Sequence, residues 1–344
     1  MAIRGPAGVS ISNTGILLIC VCVLMLFVYT FRGSISESAG YGSDYGSKYD
    51  REYKVSEVLS AAIYLSEKAG RLVKDIREQD ALQEQSKGET KEGVNDPLTE
   101  GDLMSHRILV KGFMKAFPAL NLVSEEHEEE SIEGVVPPNL YHPDVQKVLK
   151  SDPYIAAEDI TVWVDPLDAT KEYTERLTQY VTVMACVAVK GVPVAGVIRK
   201  PFDDKTYWAW VGHGVSDTLQ GLHGSEEGDA LEVIVSLSHK GEVEGIAKKA
   251  FAPKEVHITG AGGAGYKVVE VIKGTEDVYV HTTLIKKWDI CAGDAILREI
   301  GGTQTDLRGD EINYSHELDP KNEHGLIATM HDHEKYREAL AASL

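Results

Sequence analysis

Apolar residues recur at intervals of three and four between Val55 and Ile76, through Val58, Leu59, Ala62, Ile63, Leu65, Leu72 and Val73, which predicts an amphipathic helix. A second predicted helix covers 101–117 and stops at Pro118. The polar stretch 83–95 between them carries Gly88 and Gly93 and reads as a mobile loop. Residues 120–124 predict a short strand running into Glu125-Glu126, and the acidic, proline-containing stretch 127–159 reads as a surface insertion. Strand patterns then follow closely, at 161–165, 181–190, 192–199, 205–211, 231–236, 255–259 and 278–281, with a helix over 169–177 after the first. A helix over 289–300 is ended by Gly301-Gly302, and a strand at 326–329 and a helix from His333 close the chain. Helices first, then strands, then alternation predict a layered α/β or α+β body. No internal repeat is present.

The N-terminus is patterned differently. Residues 1–14 form a short tail, and 15–31 are 17 residues without a charge, flanked by Arg4 and Arg32. A helix of that length spans about 26 Å, slightly short of a ~30 Å hydrocarbon core. The run is long for a cleaved signal and Tyr29-Thr30-Phe31-Arg32 is a poor cleavage site, so an uncleaved transmembrane signal anchor is expected. One arginine on each side leaves the orientation open, and a short span suits the thinner membranes of the ER and Golgi. Residues 32–50, rich in Gly, Ser and Tyr, read as a stem or linker, and the folded body is 51–344.

Composition narrows the function. Of 344 residues, 43% are hydrophobic and 26% charged, which fits a folded body with a full core. The formal net charge of −19 lacks the basic footprint that a nucleic-acid polymer needs, so that class of partner is excluded. Acidity serves solubility, and carboxylates gathered around divalent cations also produce it. The four cysteines, Cys20, Cys22, Cys186 and Cys291, have no zinc or disulfide spacing. The body is therefore expected not to depend on disulfides, and cysteine usage does not identify a compartment.

The chemistry concentrates in Trp163-Val164-Asp165-Pro166-Leu167-Asp168-Ala169-Thr170, an apolar strand that ends in two carboxylates and a hydroxyl. Neighbouring carboxylates repel unless a cation lies between them, and hard cations such as Mg²⁺ take oxygen ligands while leaving room for phosphate. Taken alone, Asp168 reads equally as a helix cap. Three further segments change that: Leu122-Val123-Ser124-Glu125-Glu126, Pro97-Leu98-Thr99-Glu100-Gly101-Asp102, and Trp288-Asp289-Ile290-Cys291-Ala292-Gly293, each delivering carboxylates at the end of a strand or the start of a helix.

This ordered set resembles the lithium-sensitive, Mg²⁺-dependent phosphatases of the inositol monophosphatase superfamily over roughly 55–340. The resemblance implies an α-β-α-β-α sandwich with a metal-binding half at about 51–200 and a substrate half at 201–344. Thr170-Lys171-Glu172-Tyr173-Thr174, Ser236-Leu237-Ser238-His239 and Gly262-Gly263-Ala264-Gly265-Tyr266-Lys267 place the chain nearest the branch acting on 3′-phosphoadenosine 5′-phosphate. The implied cofactor is two or three Mg²⁺ ions. Glu125, Asp165 and the Leu167 carbonyl would hold one, Asp165, Asp168 and Asp289 another, and Asp102 with Glu125 a third. Asp102 and Thr170 would orient and deprotonate the attacking water, and the amides at Ala169 and Thr170 would cradle the phosphate. Ser236, His239, Gly263, Lys267 and Asp289 would meet the nucleotide. Where relatives carry an Arg this chain has His281, so the second-phosphate clamp is expected from Lys267, Lys286 or Lys287. The resemblance also implies a Golgi membrane protein of single-pass type II topology with a lumenal body, clearing a product of sulfation, and a homodimer. Glycosylation of Asn313, in the sequon Asn313-Tyr314-Ser315, would report that topology.

A different class was weighed. Gly260-Ala261-Gly262-Gly263-Ala264-Gly265 fits G-x-G-x-x-G after a predicted strand, as in a nicotinamide-dependent oxidoreductase. The next strand, Val278-Tyr279-Val280-His281, lacks the acidic residue a ribose would require, and no second βαβ half is present.

Overall fold

In the computed structural model, residues 51–89, 95–127, 134–225, 228–237 and 240–343 are described. The proposed anchor at 15–31, the stem, and His239 lie outside them; among the described residues no helix is long and apolar enough to cross a membrane.

Strand β1 (Glu52–Lys54) leads into the first predicted helix, α1 (Val55–Glu78). The expected loop at 83–95 is instead a hairpin, β2 (Gln85–Glu89) and β3 (Asn95–Leu98), because its polar residues pair backbone to backbone and need no core face. Helix α2 (Glu100–Ala116) follows, and Thr99 caps it by accepting a hydrogen bond from the Gly101 amide. After β4 (Asn121–Ser124), the stretch read as a surface insertion contributes α3 (Pro143–Val148) and β5 (Tyr154–Ala156). It is tied down: Val145 is buried, and the Ser56 hydroxyl donates to Asp152.

The central meander is β6 (Ile160–Asp168), β7 (Thr182–Val189), β8 (Val192–Lys200), β9 (Lys205–Trp210) and β10 (Gly214–Val215), with α4 (Thr170–Thr174) between β6 and β7. Helix α4 is shorter than the sequence suggested, because Arg176 takes a left-handed φ of 64° and stops it. With β4 joined in parallel to β6, these strands make a six-stranded sheet that continues past residue 200 to Val215. The second sheet is built from β11 (Ala230–Ser236), β12 (Glu255–Ala261), β13 (Val278–His281), β15 (Thr303–Thr305) and β17 (Leu326–Thr329), in the order β12-β11-β13-β17-β15. Its helices are α5 (Lys240–Ala250), α6 (Ala264–Lys273), α7 (Lys287–Ile300) and α8 (His333–Ala341). A two-residue ribbon, β14 (Ile285–Lys286) with β16 (Lys321–Asn322), lies beside the start of α7.

Three cores separate five layers. Val58, Leu59, Ile63 and Leu109 of α1 and α2 pack on Val162, Val183 and Val197 of the first sheet. The other face, through Trp163, Met184 and Cys186, meets α6 and α7, which also cover Ile234, Tyr279 and Ala328 of the second sheet. The outer face of that sheet, Leu231, Val233 and Val235, is closed by Val243, Ala247, Tyr336 and Leu340 of α5 and α8. Adjacent residues of β11 thus enter different cores, as the period of two in a strand dictates. The predicted α-β-α-β-α sandwich is the observed architecture.

One expectation is overturned. Cys186 on β7 and Cys291 on α7 form a disulfide, with Cα atoms 5.7 Å apart. The 105 residues between them hide the pairing from spacing arguments. It arises because α7 lies directly on the sheet, and it links the helix that carries Asp289 to a central strand.

A second tie is the buried Tyr173 hydroxyl of α4, which donates to the Val73 carbonyl of α1 at 2.7 Å. Tyr173→Phe should lower stability by about 1 kcal/mol, read as a shift of the urea midpoint with an unchanged slope.

Candidate active site

The six-stranded sheet delivers the carboxylates. Ser124 lies opposite Val164 in the parallel β4–β6 pair, so the next residues, Glu125 and Asp165, come side by side where β4 ends. Strand β6 then carries a bulge between Asp165 and Asp168, and Pro166 sits in it, where no ladder hydrogen bond is required. Asp165 Oδ1 accepts from the Leu167 amide at 3.1 Å, which closes the bulge and turns Asp168 towards the same cavity. Asp168 is therefore a strand residue rather than a helix cap. Ala169 follows in the left-handed conformation, φ 68°, and brings Thr170 round to α2. Asp289 arrives from the other half of the chain in the first turn of α7 and accepts from the Lys286 amide at 3.2 Å.

Glu125, Asp165, Leu167, Asp168, Ala169, Thr170, Ser236 and Asp289 line one cavity of about 430 Å³, with Glu172 and the β3 residues Asn95 to Pro97 at its edge. Asp102 sits behind it, buried, accepting from Thr99 Oγ1 at 2.6 Å and from Thr170 Oγ1 at 2.9 Å. A larger cavity of about 700 Å³ lies along α2 and β4 and contains none of the predicted site residues.

Electrostatics point to a cation. Burial, reinforced by the neighbouring carboxylates Glu125 and Asp168, holds Asp165 and Asp289 well above the usual carboxylate range. Burial pushes Asp102 up to about 6 against the hydrogen bonds from Thr99 and Thr170. It pushes Glu125 up to about 7, with Lys87 opposing and Glu126 adding repulsion. Asp168 is also raised by burial, although Lys267 and the amides of Gly265 and Ala264 oppose this. Among the described residues no three acidic or imidazole groups close around one point as in a filled metal site. The donor set is nevertheless all oxygen, buried or half-buried and mutually repelling, which fits a hard divalent cation.

Sequence reasoning missed a cation held against two of these carboxylates. The β2–β3 hairpin places Lys87 Nζ between the carboxylates of Glu125, at 2.9 Å, and Glu126. Burial opposes its charge, but the two carboxylates raise its pKa. A polar, unpatterned stretch gave no sign of this; a hairpin reading of 83–95 would have.

The glycine loop proves to be part of the same site. Gly263 has φ 65°, and a Cβ there would meet the Tyr180 carbonyl oxygen at 2.7 Å. The Gly265 amide donates to Asp168 Oδ2 at 2.8 Å. The start of α6 is thus turned onto a carboxylate of the cluster, not towards a dinucleotide, which removes the oxidoreductase reading. Lys267 is buried, and its Nζ donates to the Gly263 and Ala261 carbonyls. Burial lowers its pKa to about 8, with Asp168 and Glu172 opposing. It braces the loop. Lys287 Nζ lies 5.9 Å from the Trp163 ring centroid, and the residue lines a separate cavity.

Comparison with known proteins places this geometry. The profile of the inositol monophosphatase family matches residues 54–344. The chain is 40% identical to inositol monophosphatase 3 of Danio rerio over 331 residues, 94% of each chain. It is 43% identical to the Golgi-resident adenosine 3′,5′-bisphosphate 3′-phosphatase of Mus musculus over 266 residues, 75% of this chain and 74% of that one. The crystal structure of the extragenic suppressor protein suhB from Bartonella henselae superimposes with a TM-score of 0.60 at 23% identity, over 84% of this chain and 99% of that one; this likeness concerns the fold.

Proposed function

The chain belongs to the inositol monophosphatase family of phosphatases, and from that premise we propose a Mg²⁺-dependent, Li⁺-sensitive 3′(2′),5′-bisphosphate nucleotidase, hydrolysing 3′-phosphoadenosine 5′-phosphate to AMP and phosphate. The observation that carries the reaction is the Thr170–Asp102 hydrogen bond at the wall of the carboxylate cavity. A water held by Thr170 Oγ1 passes its proton along that bond to Asp102, whose buried carboxyl takes protons more readily than an exposed one. Glu125, Asp165, the Leu167 carbonyl, Asp168, Asp289 and Asp102 are the donors available for Mg²⁺, which when bound lowers the pKa of water and neutralises phosphate charge. Ala169 and Thr170 border the space a phosphate would fill, and Ser236 faces it from the second sheet.

The nucleotide preference draws support from the mouse relative and from a second cavity that shares Asp168 and Asp289 with the first. The Golgi lumen draws support from that relative's name and from the Cys186–Cys291 disulfide, since disulfides persist in oxidising compartments. A type II membrane anchor at 15–31 and a homodimer belong to the same proposal. The alternative, an inositol phosphate phosphatase with the same carboxylates, is favoured by the longer alignment with the Danio rerio protein. Phosphate release from 3′-phosphoadenosine 5′-phosphate, inositol 1-phosphate and inositol 1,4-bisphosphate, with Mg²⁺ and with added Li⁺, separates the two. The nucleotide should lead in kcat/KM by roughly tenfold or more, equivalent to ~1.4 kcal/mol. Absence of nucleotide turnover sinks the first reading.

A further inference from the structure

The carboxylates of the reaction cavity come from two separate parts of the chain. Glu125, Asp165 and Asp168 are delivered by β4 and β6, whereas Asp289 is brought by the first turn of α7. Asp289 faces the charges of Glu125 and Asp168, which repel it. Repulsion of this kind pushes the start of α7 away from the first sheet. The non-covalent holds against it are limited. Cys291, Ala292 and Ala295 of α7 are fully buried, and such small side chains allow close approach but remove little apolar area from water. The Lys287 amide donates to the Pro320 carbonyl at 2.8 Å, which ties the first turn to the segment before β16 rather than to the sheet. The covalent tie to the sheet is the Cys186–Cys291 disulfide. Cys291 follows Asp289 by two residues, about 3 Å further along the axis and roughly 200° around it. The carboxylate and the bond therefore take opposite sides of one turn, and α7 cannot roll Asp289 out of the cavity without dragging Cys291 from β7. Cys186 is in turn the cross-strand partner of Trp163, two residues before Asp165. A short path through Cys291, Cys186 and Trp163 thus joins Asp289 to Asp165.

We propose that this disulfide is a positioning element for the reaction: it holds Asp289 against the carboxylates of the first sheet, and the affinity of the site for Mg²⁺ depends on its formation. Forming the bond moves two electrons. Each thiol loses a hydrogen, and a small-molecule disulfide such as oxidised glutathione takes up both and leaves as two thiols. Cys186 is 1% and Cys291 0% exposed, so the exchange takes place while the chain folds, and the folded protein keeps the bond. The chain is thereby competent where folding is oxidising and impaired where folding is reducing.

This inference rests on the metal-dependent phosphatase reading, and Mg²⁺ binding is measured beside activity so that the two can fail separately. Three full-chain proteins are compared with the oxidised wild type. The first is the wild type folded and kept in dithiothreitol, which retains both side chains without the bond. The second is the double variant Cys186→Ala, Cys291→Ala. The third is Val243→Ala, which loses buried volume in the outer core under α5. Phosphate release from 3′-phosphoadenosine 5′-phosphate and from inositol 1-phosphate is titrated with Mg²⁺, and Mg²⁺ binding is followed by calorimetry. In the first two proteins the Mg²⁺ needed for half-maximal rate and the calorimetric Kd should both rise roughly ten- to a hundredfold, the scale of a lost support behind a metal ligand. Val243→Ala should melt earlier yet keep the wild-type Mg²⁺ values. Wild-type Mg²⁺ values in the reduced protein and the double variant overturn the proposal, as does an equal loss in Val243→Ala. Failure of both bond-free proteins to fold makes the bond a condition of folding, and overturns it as well. A wild type that binds Mg²⁺ but releases phosphate from neither substrate defeats the phosphatase reading, while a weakened calorimetric Kd in the bond-free proteins still upholds the positioning. A wild type that binds no Mg²⁺ overturns both.

Discussion

Asp165→Asn abolishes phosphate release from every substrate, by roughly a thousandfold or more, and leaves the fold intact. Asp165 stands at the point where the first sheet opens, flanked by Glu125 from the parallel strand and facing Asp168 and Asp289. Its structural duty is to accept the Leu167 amide across the bulge, and an asparagine oxygen can accept the same bond. What the amide cannot supply is a negative oxygen donor at the centre of the cluster. Stability gives an independent readout. The wild-type carboxylate is buried among like charges, so a neutral replacement relieves repulsion, and the variant without divalent ions should melt no lower than the wild type. On adding Mg²⁺, the wild-type melting temperature should rise by the mass-action effect of a ligand bound to the native state, and the variant's should rise less. Full activity in the variant, or an equal Mg²⁺ response in both proteins, would remove Asp165 from the metal assignment.

Much of this site could be read along the chain because each carboxylate ends a patterned element. Asp165 and Asp168 follow an apolar run, Glu125 follows another, and Asp102 and Asp289 open periodic helices; period and punctuation are local properties. What could not be read is what two distant segments do to each other. The adjacency of Glu125 and Asp165 needs the parallel β4–β6 register. The Cys186–Cys291 bond needs α7 pressed on β7. Lys87 is carried by a short strand without a core face, where hydrophobic pattern is silent. The predicted helix at 169–177 overran because its residues are good helix formers, while Ala169 and Arg176 take left-handed conformations set by the turn around Thr170. The predicted strand stops at 165, yet β6 continues through Pro166 by way of a bulge.

The same close packing makes Gly196 the position where a small change should do the most structural damage. It is the middle residue of β8, paired with Cys186 on one side and Ala209 on the other. A Cβ there would fall on the Ala292 carbonyl oxygen, well inside the 3.0 Å that real Cβ contacts do not cross. The obstructing atom belongs to the backbone of α7, so no side chain can swing aside; the helix itself must move. It is also held there by the Cys291 disulfide and by Ala292 and Ala295, both fully buried. Gly196→Val should therefore cost about 3 kcal/mol or more, seen as a lower urea midpoint, and Gly196→Ala somewhat less. Because Asp289 lies one turn before Ala292 on α7, any folded fraction should also lose activity through a displaced carboxylate, with kcat falling more than KM rises. Gly245→Ala supplies the opposite sign. Gly245 is an exposed position in α5 with nothing within 4 Å of an added Cβ, so the same methyl should stabilise by about 0.5–1 kcal/mol through helix propensity. If the two alanine variants shift the midpoint in the same direction, the close approach of α7 to β8 is not what holds Asp289 in place.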